Sequence, residues 1–177
     1  MADDPDPDRR GFLKLTTCAI GGGIGLVAVG PVLRFVTAPA GDITVTAPTE
    51  PLDVGELSRF AIGAEPTKID LVAPVVKDAW VAAQNVVLGA AWVRRTAADK
   101  VEALSALCPH LGCAVGWDPA GKSFLCPCHE SRFGLTGDPM SGPAKRGLDP
   151  LPVAIKDGRL QLTWVRYKLD TASRDPA

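Results

Sequence analysis

The sequence predicts an all-β head preceded by one N-terminal transmembrane helix, and three observations support this prediction. The 177 residues include 18 glycines and 16 prolines but few aromatic residues, which favours short strands and turns over long helices. Residues 15–33 contain no charged side chain, and a run of this length is about enough to cross a bilayer core. An Asp-Gly pair at 157–158 separates two alternating segments, which is typical of a tight β-hairpin.

The N-terminal residues set the expected membrane topology. Residues 1–14 are predicted to be a cytoplasmic tail, and their Arg-Arg-Gly-Phe-Leu-Lys stretch resembles a twin-arginine export signal. Because positive charges precede the apolar run, a transmembrane helix over residues 15–36 would leave its N-terminus in the cytoplasm. The head is then expected on the periplasmic or outer face of a bacterial cell membrane, where disulfides persist. Residues 38–40, Ala-Pro-Ala, match a signal-peptide cleavage site, so cleavage after Ala40 is an open alternative.

A flexible tether is predicted between the helix and the head. Residues 37–51 are rich in Pro, Gly, Ala and Thr and hold only two charges, so they have little apolar material to bury. Residues 52–170 are predicted to be the head, and residues 171–177 a disordered tail. The formal net charge of −1 gives no electrostatic footprint for nucleic-acid binding.

Short strands are predicted along the head, where five segments alternate or form apolar runs between turn residues. These segments are residues 68–72, 86–94, 101–107, 153–156 and 159–164. The segment at 86–94 is largely apolar and broken by Gly89, so we expect a buried strand there. Residues 117–122 predict a turn between two further strands.

The metal-ligating side chains concentrate in two boxes. Four of the five cysteines and both histidines lie in Cys-Pro-His-Leu-Gly-Cys at 108–113 and Cys-Pro-Cys-His-Glu-Ser-Arg-Phe at 126–133. Each box offers a mixed half-site, Cys108-x-His110 in the first and Cys126-x-x-His129 in the second. Fifteen residues separate His110 from Cys126, which is enough for a strand, a turn and a returning strand that would bring the boxes together.

Each box also carries a spare cysteine. Cys113 and Cys128 would lie on adjacent loops, where a disulfide can form if the geometry allows it. The other four side chains could form a zinc set, although zinc fingers favour Cys-Cys and His-His pairs over mixed half-sites. A zinc-stabilised extracytoplasmic binding module is therefore kept as an alternative.

Together the two boxes resemble those of Rieske iron–sulfur proteins, in the disulfide-containing type found in quinol-oxidising cytochrome bc complexes. The resemblance implies an antiparallel β-sandwich with a small inserted cluster-binding subdomain, here about residues 106–146, and one [2Fe–2S] cluster per chain. It also implies that two cysteines hold one iron, two histidines hold the other, and the spare cysteines are joined. The residues so implied are Cys108 and Cys126, His110 and His129, and the disulfide Cys113–Cys128.

Other residues match positions that surround the cluster in this family. Ser131 matches a serine whose hydroxyl donates to a bridging sulfide, and Leu111 matches an apolar cover beside the first histidine. Residues 141–144 resemble a proline loop that shields the cluster. Phe133 stands where tyrosine is common and Glu130 where glycine is common. A missing hydroxyl donor and an added negative charge both imply a lower potential, better matched to menaquinol than to ubiquinol.

The function implied by the resemblance is electron transfer within a quinol–cytochrome c oxidoreductase. Quinol in a cytochrome b subunit would hydrogen-bond to His110 or His129, the two catalytic candidates, and give up an electron and a proton. The head would then move on its tether and deliver the electron to a c-type haem. A further alternative is the Rieske small subunit of an exported molybdenum oxidase, similar to arsenite oxidase, which would receive electrons from a molybdenum subunit.

Overall fold

The computed structural model of the chain describes residues 7–37, 50–77 and 82–177. The chain divides into two compact units, one holding the N-terminal helix and the other holding the β-rich head. The cleavage site predicted at residues 38–40 lies outside the described residues, as does all of the predicted tether except its ends. Both expectations therefore stay predictions.

The N-terminal unit contains the helix α1, Pro7–Thr37. Proline is well tolerated in the first turn because its missing N–H has no helical partner to lose. At about 1.5 Å per residue the helix is about 46 Å long, which exceeds the roughly 30 Å hydrocarbon core of a bilayer. By length and composition Asp8–Thr37 can cross a membrane, and none of its most apolar window is buried. The helix is thus a candidate single-pass membrane anchor, and it begins well before the predicted membrane segment.

The head holds ten strands among the described residues, and these form three sheets. In chain order they are β1 (Leu52–Glu56), β2 (Thr67–Lys77), β3 (Ala82–Arg95), β4 (Val101–Ser105), β5 (Gly116–Asp118), β6 (Ser123–Leu125), β7 (Arg132–Phe133), β8 (Pro139–Ser141), β9 (Val153–Lys156) and β10 (Arg159–Leu162). Two three-stranded sheets, ordered β1–β10–β9 and β2–β3–β4, form the base. A four-stranded sheet, ordered β5–β6–β7–β8, forms the insert.

The core of the base collects buried side chains from both three-stranded sheets, such as Leu160 of β10 and Val93 of β3. The predicted antiparallel β-sandwich is therefore confirmed. Trp164, just after β10, packs against β3 at Gly89, where an added Cβ atom would collide with the indole ring. The glycine interrupts the apolar run because the indole needs that space.

The predicted Asp-Gly hairpin is confirmed. Strands β9 and β10 pair in antiparallel register, with Lys156 opposite Arg159 at the turn. Both turn residues have positive φ angles, 51° at Asp157 and 73° at Gly158. These angles match the two-residue turn whose twist suits a hairpin.

The burial expected for residues 86–94 is wrong in its first part. Strand β3 is longer than the apolar run, and its N-terminal half is mostly exposed, with Val87 60% exposed. Full burial begins at Ala91, where β3 pairs with β4. An apolar run alone does not reveal which part of a long strand is covered by other elements.

The four-stranded sheet lies between β4 and β9 in the chain, within the predicted insert at 106–146. Strand β5, a turn and strand β6 fill the interval between the two boxes, as the spacing predicted. The turn is shorter than predicted because Trp117 and Asp118 belong to β5. Beneath this sheet lies a second core of buried residues, which comprises Cys108, Val115, Phe124, Cys126, Phe133 and Leu148.

The prediction of a disordered tail over residues 171–177 is wrong. The backbone N–H of Lys168 donates to the carbonyl of Asp175 at 2.9 Å, and that of Ala177 donates to the carbonyl of Arg166 at 2.8 Å. The chain thus folds back on itself at its end. We call this closed segment, from Arg166 to Ala177, the C-terminal hairpin. Its order comes from hydrogen bonds and ion pairs, which a polar composition does not reveal.

Candidate metal centre

The first box forms a closed loop between β4 and β5, which we call ligand loop 1, residues 106–115. The backbone N–H of Cys108 donates to the carbonyl of Cys113, and the N–H of Gly112 donates to the carbonyl of Cys108, each at 2.8 Å. Gly112 has a φ of 76°, which glycine adopts without steric cost. The loop presents the half-buried side chain of His110 near its tip.

The second box forms ligand loop 2, residues 126–131, between β6 and β7. It closes where the N–H of Cys126 donates to the carbonyl of Ser131 at 2.9 Å. His129 and Glu130 are exposed on this loop. Glu130 has a φ of 57°, a conformation that costs a residue with a Cβ atom roughly 1–2 kcal/mol. Glycine has no Cβ atom and adopts this conformation without that cost, which explains why glycine suits the position.

A disulfide joins the two ligand loops. Cys113 and Cys128 are bonded, with their Cα atoms 6.6 Å apart, as the resemblance implied. Their sulfur atoms and the Sγ of Cys126 lie within 4.8 Å of one another. The disulfide sulfurs cannot also act as thiolate ligands, so only Cys126 among these three offers a thiolate to a metal.

Each ligand loop also carries one free cysteine, and the two thiols lie side by side in the interior. Cys108 is 1% exposed and Cys126 is 2% exposed, and neither is in a disulfide. Burial raises the pKa of the Cys108 thiol, the backbone N–H of His110 opposes the rise, and the neighbouring Cys126 sulfur adds to it. Two adjacent buried thiols are costly to ionise by themselves, whereas a bound metal stabilises them as thiolates.

The two histidine rings, one from each ligand loop, lie edge to face against each other. The ring centroids of His110 and His129 are 4.9 Å apart, and the planes are inclined by 79°. The His129 ring is exposed, whereas the His110 ring is half-buried. The fold therefore gathers two thiols and two imidazoles from residues up to 21 positions apart in sequence.

Ser131 tests whether a further group fits among these side chains. Its side chain is fully buried, and its hydroxyl makes no hydrogen bond of acceptable geometry with any described residue. It lies beside the Cys108 sulfur, where it lowers the pKa of that thiol. A buried hydroxyl without a partner costs about 1–3 kcal/mol, so it suits a site that supplies an acceptor such as inorganic sulfide. The donor set of two thiols and two imidazoles also suits a [2Fe–2S] centre of the Rieske type.

The remaining predicted site residues lie around these ligands. Phe133 is fully buried in the second core together with the two thiols. Leu111, next to His110 in ligand loop 1, is 56% exposed, and its role as an apolar cover stays a prediction. The glycine of the 141–144 loop packs directly on Ser131.

Sequence reasoning missed a buried ion pair behind the ligand loops. The guanidinium of Arg146 donates from Nε and Nη2 to the two carboxylate oxygens of Asp149, each at 2.8 Å, and both side chains are buried. Opposite charges three positions apart were the only signal. Such pairs usually lie at the surface, so the spacing alone gave no reason to single this one out.

Comparisons with known proteins agree with this site. A family model for the Rieske [2Fe-2S] domain matches residues 69–153, which include both boxes. The menaquinol:cytochrome c reductase iron-sulfur subunit of Geobacillus thermodenitrificans is 34% identical, over 87% of this chain and 89% of the relative. Its counterpart in Bacillus subtilis is 32% identical, over 95% and 98%. A cytochrome b6-f complex iron-sulfur subunit from Synechococcus elongatus is 30% identical, over 97% and 93%.

These similarities extend over nearly the whole chain, so they include α1 as well as the head. The family match favours an iron–sulfur centre over the zinc set kept open by the sequence. The chain belongs to the Rieske iron–sulfur protein family, whose domain holds a [2Fe–2S] centre.

Proposed function

We propose that this protein is the Rieske electron-transfer subunit of a membrane quinol–cytochrome c oxidoreductase. The observation that supports it most is one pair of loops, tied by a disulfide, that carries two buried free thiols and two imidazoles in contact. Two relatives carry the name menaquinol:cytochrome c reductase iron-sulfur subunit, and one of them aligns with 95% of this chain. These names favour a quinol-oxidising complex over the small subunit of a molybdenum oxidase.

In the proposed centre, Cys108 and Cys126 ligate one iron, and His110 and His129 ligate the other. Bound there, the [2Fe–2S] centre supplies a one-electron carrier whose potential is raised by its neutral imidazole ligands. The two cysteines lie in the second core and keep the sulfur side of the site away from water. The hydroxyl of Ser131 is placed to donate a hydrogen bond on that side.

The imidazoles are the proposed proton acceptors. A ring that ligates through one nitrogen keeps the other for a proton. Because the His129 ring is exposed, its outer nitrogen can lose its proton to water beside the oxidised centre, and in that deprotonated form it can accept a hydrogen bond from the hydroxyl of a quinol held in a partner cytochrome b subunit. That nitrogen then takes the proton, and the disulfide keeps the ring in place relative to His110.

The proposed quinol is menaquinol. The buried Phe133 offers no hydroxyl to a ligand sulfur, and Glu130 adds a negative charge on ligand loop 2. Both features favour the oxidised state and lower the potential, which suits a low-potential quinol. The two menaquinol-linked relatives support the same choice.

The proposed topology places the head on the periplasmic or outer face of the membrane. Arg9, Arg10 and Lys14 lie at the N-terminal end of α1 and should stay in the cytoplasm. In this arrangement residues 15–36 cross the membrane, and residues 37–51 act as the tether. The head would move on this tether between cytochrome b and a c-type haem.

Mild detergent purification of the complex tests this function. We expect a cytochrome b and a c-type cytochrome to co-purify with the chain, and menaquinol to reduce cytochrome c. His129→Ala should abolish that activity, whereas Ile62→Ala, at an exposed site on the base, should retain it. A molybdenum-containing partner in place of cytochrome b would contradict the proposal and favour the molybdenum oxidase alternative.

A further inference from the structure

The tip of the C-terminal hairpin rests on ligand loop 1. The backbone N–H of Asp170 donates to the carbonyl of Pro109 at 2.9 Å. Beside it, the side chain of Leu169 packs against Gly112, where an added Cβ atom would lie only 3.1 Å from the leucine methyl. The end of the chain thus contacts the residue that stands between Cys108 and His110.

A buried arginine fixes the backbone on both sides of Asp170. Arg146 donates to the carbonyl of Lys168 at 2.8 Å and to the carbonyl of Thr171 at 2.7 Å. Its remaining donors engage the Asp149 carboxylate and the Thr171 hydroxyl, so the guanidinium is fully occupied and rigidly held. Lys145 also bonds to Asp170, at 3.0 Å from both the backbone and the side-chain oxygen.

The peptide group between Pro109 and His110 has partners on both sides. Because a trans peptide directs its N–H and C=O in opposite directions, the carbonyl meets Asp170 while the N–H points the other way. On that other side, the His110 N–H approaches the Cys108 sulfur and lowers the pKa of that thiol. A hydrogen bond to the carbonyl of a peptide polarises its N–H, so the bond from Asp170 makes the His110 N–H a stronger donor toward that sulfur.

We propose that the Asp170 N–H is a positioning group that holds the Pro109–His110 peptide in place and thereby raises the potential of the bound centre. A donor to a ligand sulfur stabilises the more negative, reduced state, which is the direction required. The C-terminal hairpin is then part of the electron-transfer machinery and not only a terminus. This inference rests on the proposed ligand role of Cys108.

Two disrupted chains and one matched control test the inference, each purified in detergent with its N-terminal helix beside the full-length parent. Asp170→Pro removes the N–H and cannot adopt the φ of 54° observed here. A chain ending at Leu169 removes the same donor without forcing that angle. The matched control is Asp170→Gly. Like the other two changes it removes the Asp170 carboxylate, but it keeps the backbone N–H and adopts positive φ readily. The measurements are the midpoint potential and the iron–cysteine stretching frequencies in resonance Raman spectra.

We expect both disrupted chains to retain the centre with a lower potential and shifted iron–cysteine frequencies, and Asp170→Gly to match the parent. Parent values in the disrupted chains would overturn the inference. So would an equal fall in Asp170→Gly, because the side chain would then be responsible. Loss of the whole centre from both disrupted chains, with Asp170→Gly intact, would reduce the hairpin to a structural brace and also overturn it. A parent chain without any iron–sulfur signal would instead contradict the proposed function.

Discussion

Gly142 lies so close to Ser131 that a Cβ atom at position 142 would stand 2.7 Å from the serine hydroxyl oxygen. Its φ of 95° is also one that residues with a Cβ atom rarely adopt. The 141–144 loop therefore closes over Ser131 only because this position is glycine. That closure buries the Ser131 hydroxyl, which has no hydrogen-bond acceptor among the described residues. We therefore expect the hydroxyl to donate to the bound centre.

Ser131→Ala is expected to act in opposite directions with and without the iron–sulfur centre. With the centre bound, the potential should fall by about 40 mV if the lost hydrogen bond favours the reduced state by about 1 kcal/mol. Without it, removal of a partnerless buried hydroxyl should stabilise the chain by about 1 kcal/mol. Redox titration and denaturant unfolding check the two parts. Ser58→Ala, at an exposed serine, is the control, and an unchanged potential in Ser131→Ala would contradict the tuning role.

Removing the disulfide is expected to destabilise the head. Cys113 and Cys128 are 15 positions apart, and closing a loop of that size contributes about 3 kcal/mol in the chain-entropy account. Replacing both with serine should lower the melting temperature and accelerate loss of the centre, since the two ligand loops are no longer tied. Calorimetry with and without reductant measures this. Equal melting temperatures for the parent and the double variant under oxidising conditions would contradict the prediction.

Phe133→Tyr is expected to raise the potential of the centre. Phe133 packs in the same core as Cys108 and Cys126, so we expect a hydroxyl added at its ring to donate to one of their sulfurs. In a one-electron couple, about 1.4 kcal/mol of preference for the reduced state corresponds to about 59 mV, which bounds the expected rise. Redox titration of the variant beside the parent checks it. A parent potential at the top of the Rieske range would show that the phenylalanine does not lower it.

Removing one charge of the Arg146–Asp149 pair is expected to lower the free energy of unfolding more than removing both charges. Arg146→Leu leaves the Asp149 carboxylate buried without its main partner, which typically costs 3–5 kcal/mol. The double variant Arg146→Leu, Asp149→Leu removes both charges and should recover part of that loss. Denaturant unfolding of the two single variants and the double variant measures the coupling. Strictly additive losses would mean that the pair contributes no interaction of its own.

Features with a local chemical cause could be predicted from the sequence. The Asp157-Gly158 turn was predictable because its positive φ angles demand such residues, and the interval between His110 and Cys126 was long enough for the β5–β6 hairpin that fills it. The disulfide followed from the resemblance and not from spacing, since spacing left it conditional on geometry.

Features with a distant cause could not be predicted. The C-terminal hairpin is ordered by Arg146, some 25 residues away from Thr171, and a polar tail offers no periodic pattern that reveals such a partner. The exposure of Val87 reflects the extension of β3 beyond β4, which pairs with it only from Ala91 to Arg95, and an apolar run does not encode that extension. The contact between Asp170 and Pro109 involves a backbone N–H, a group that every residue except proline carries, so no residue type could signal it.

The proposed function depends on unequal ligation of the two irons, and nitrogen hyperfine spectroscopy detects the histidine ligands themselves. The full chain is purified with ¹⁵N-labelled histidine, reduced, and examined by pulsed electron paramagnetic resonance. We expect a [2Fe–2S] signal coupled to two histidine nitrogens in the parent, and loss of that signal in His110→Ala and in His129→Ala. A colourless protein with bound zinc, or a signal without histidine coupling, would contradict it.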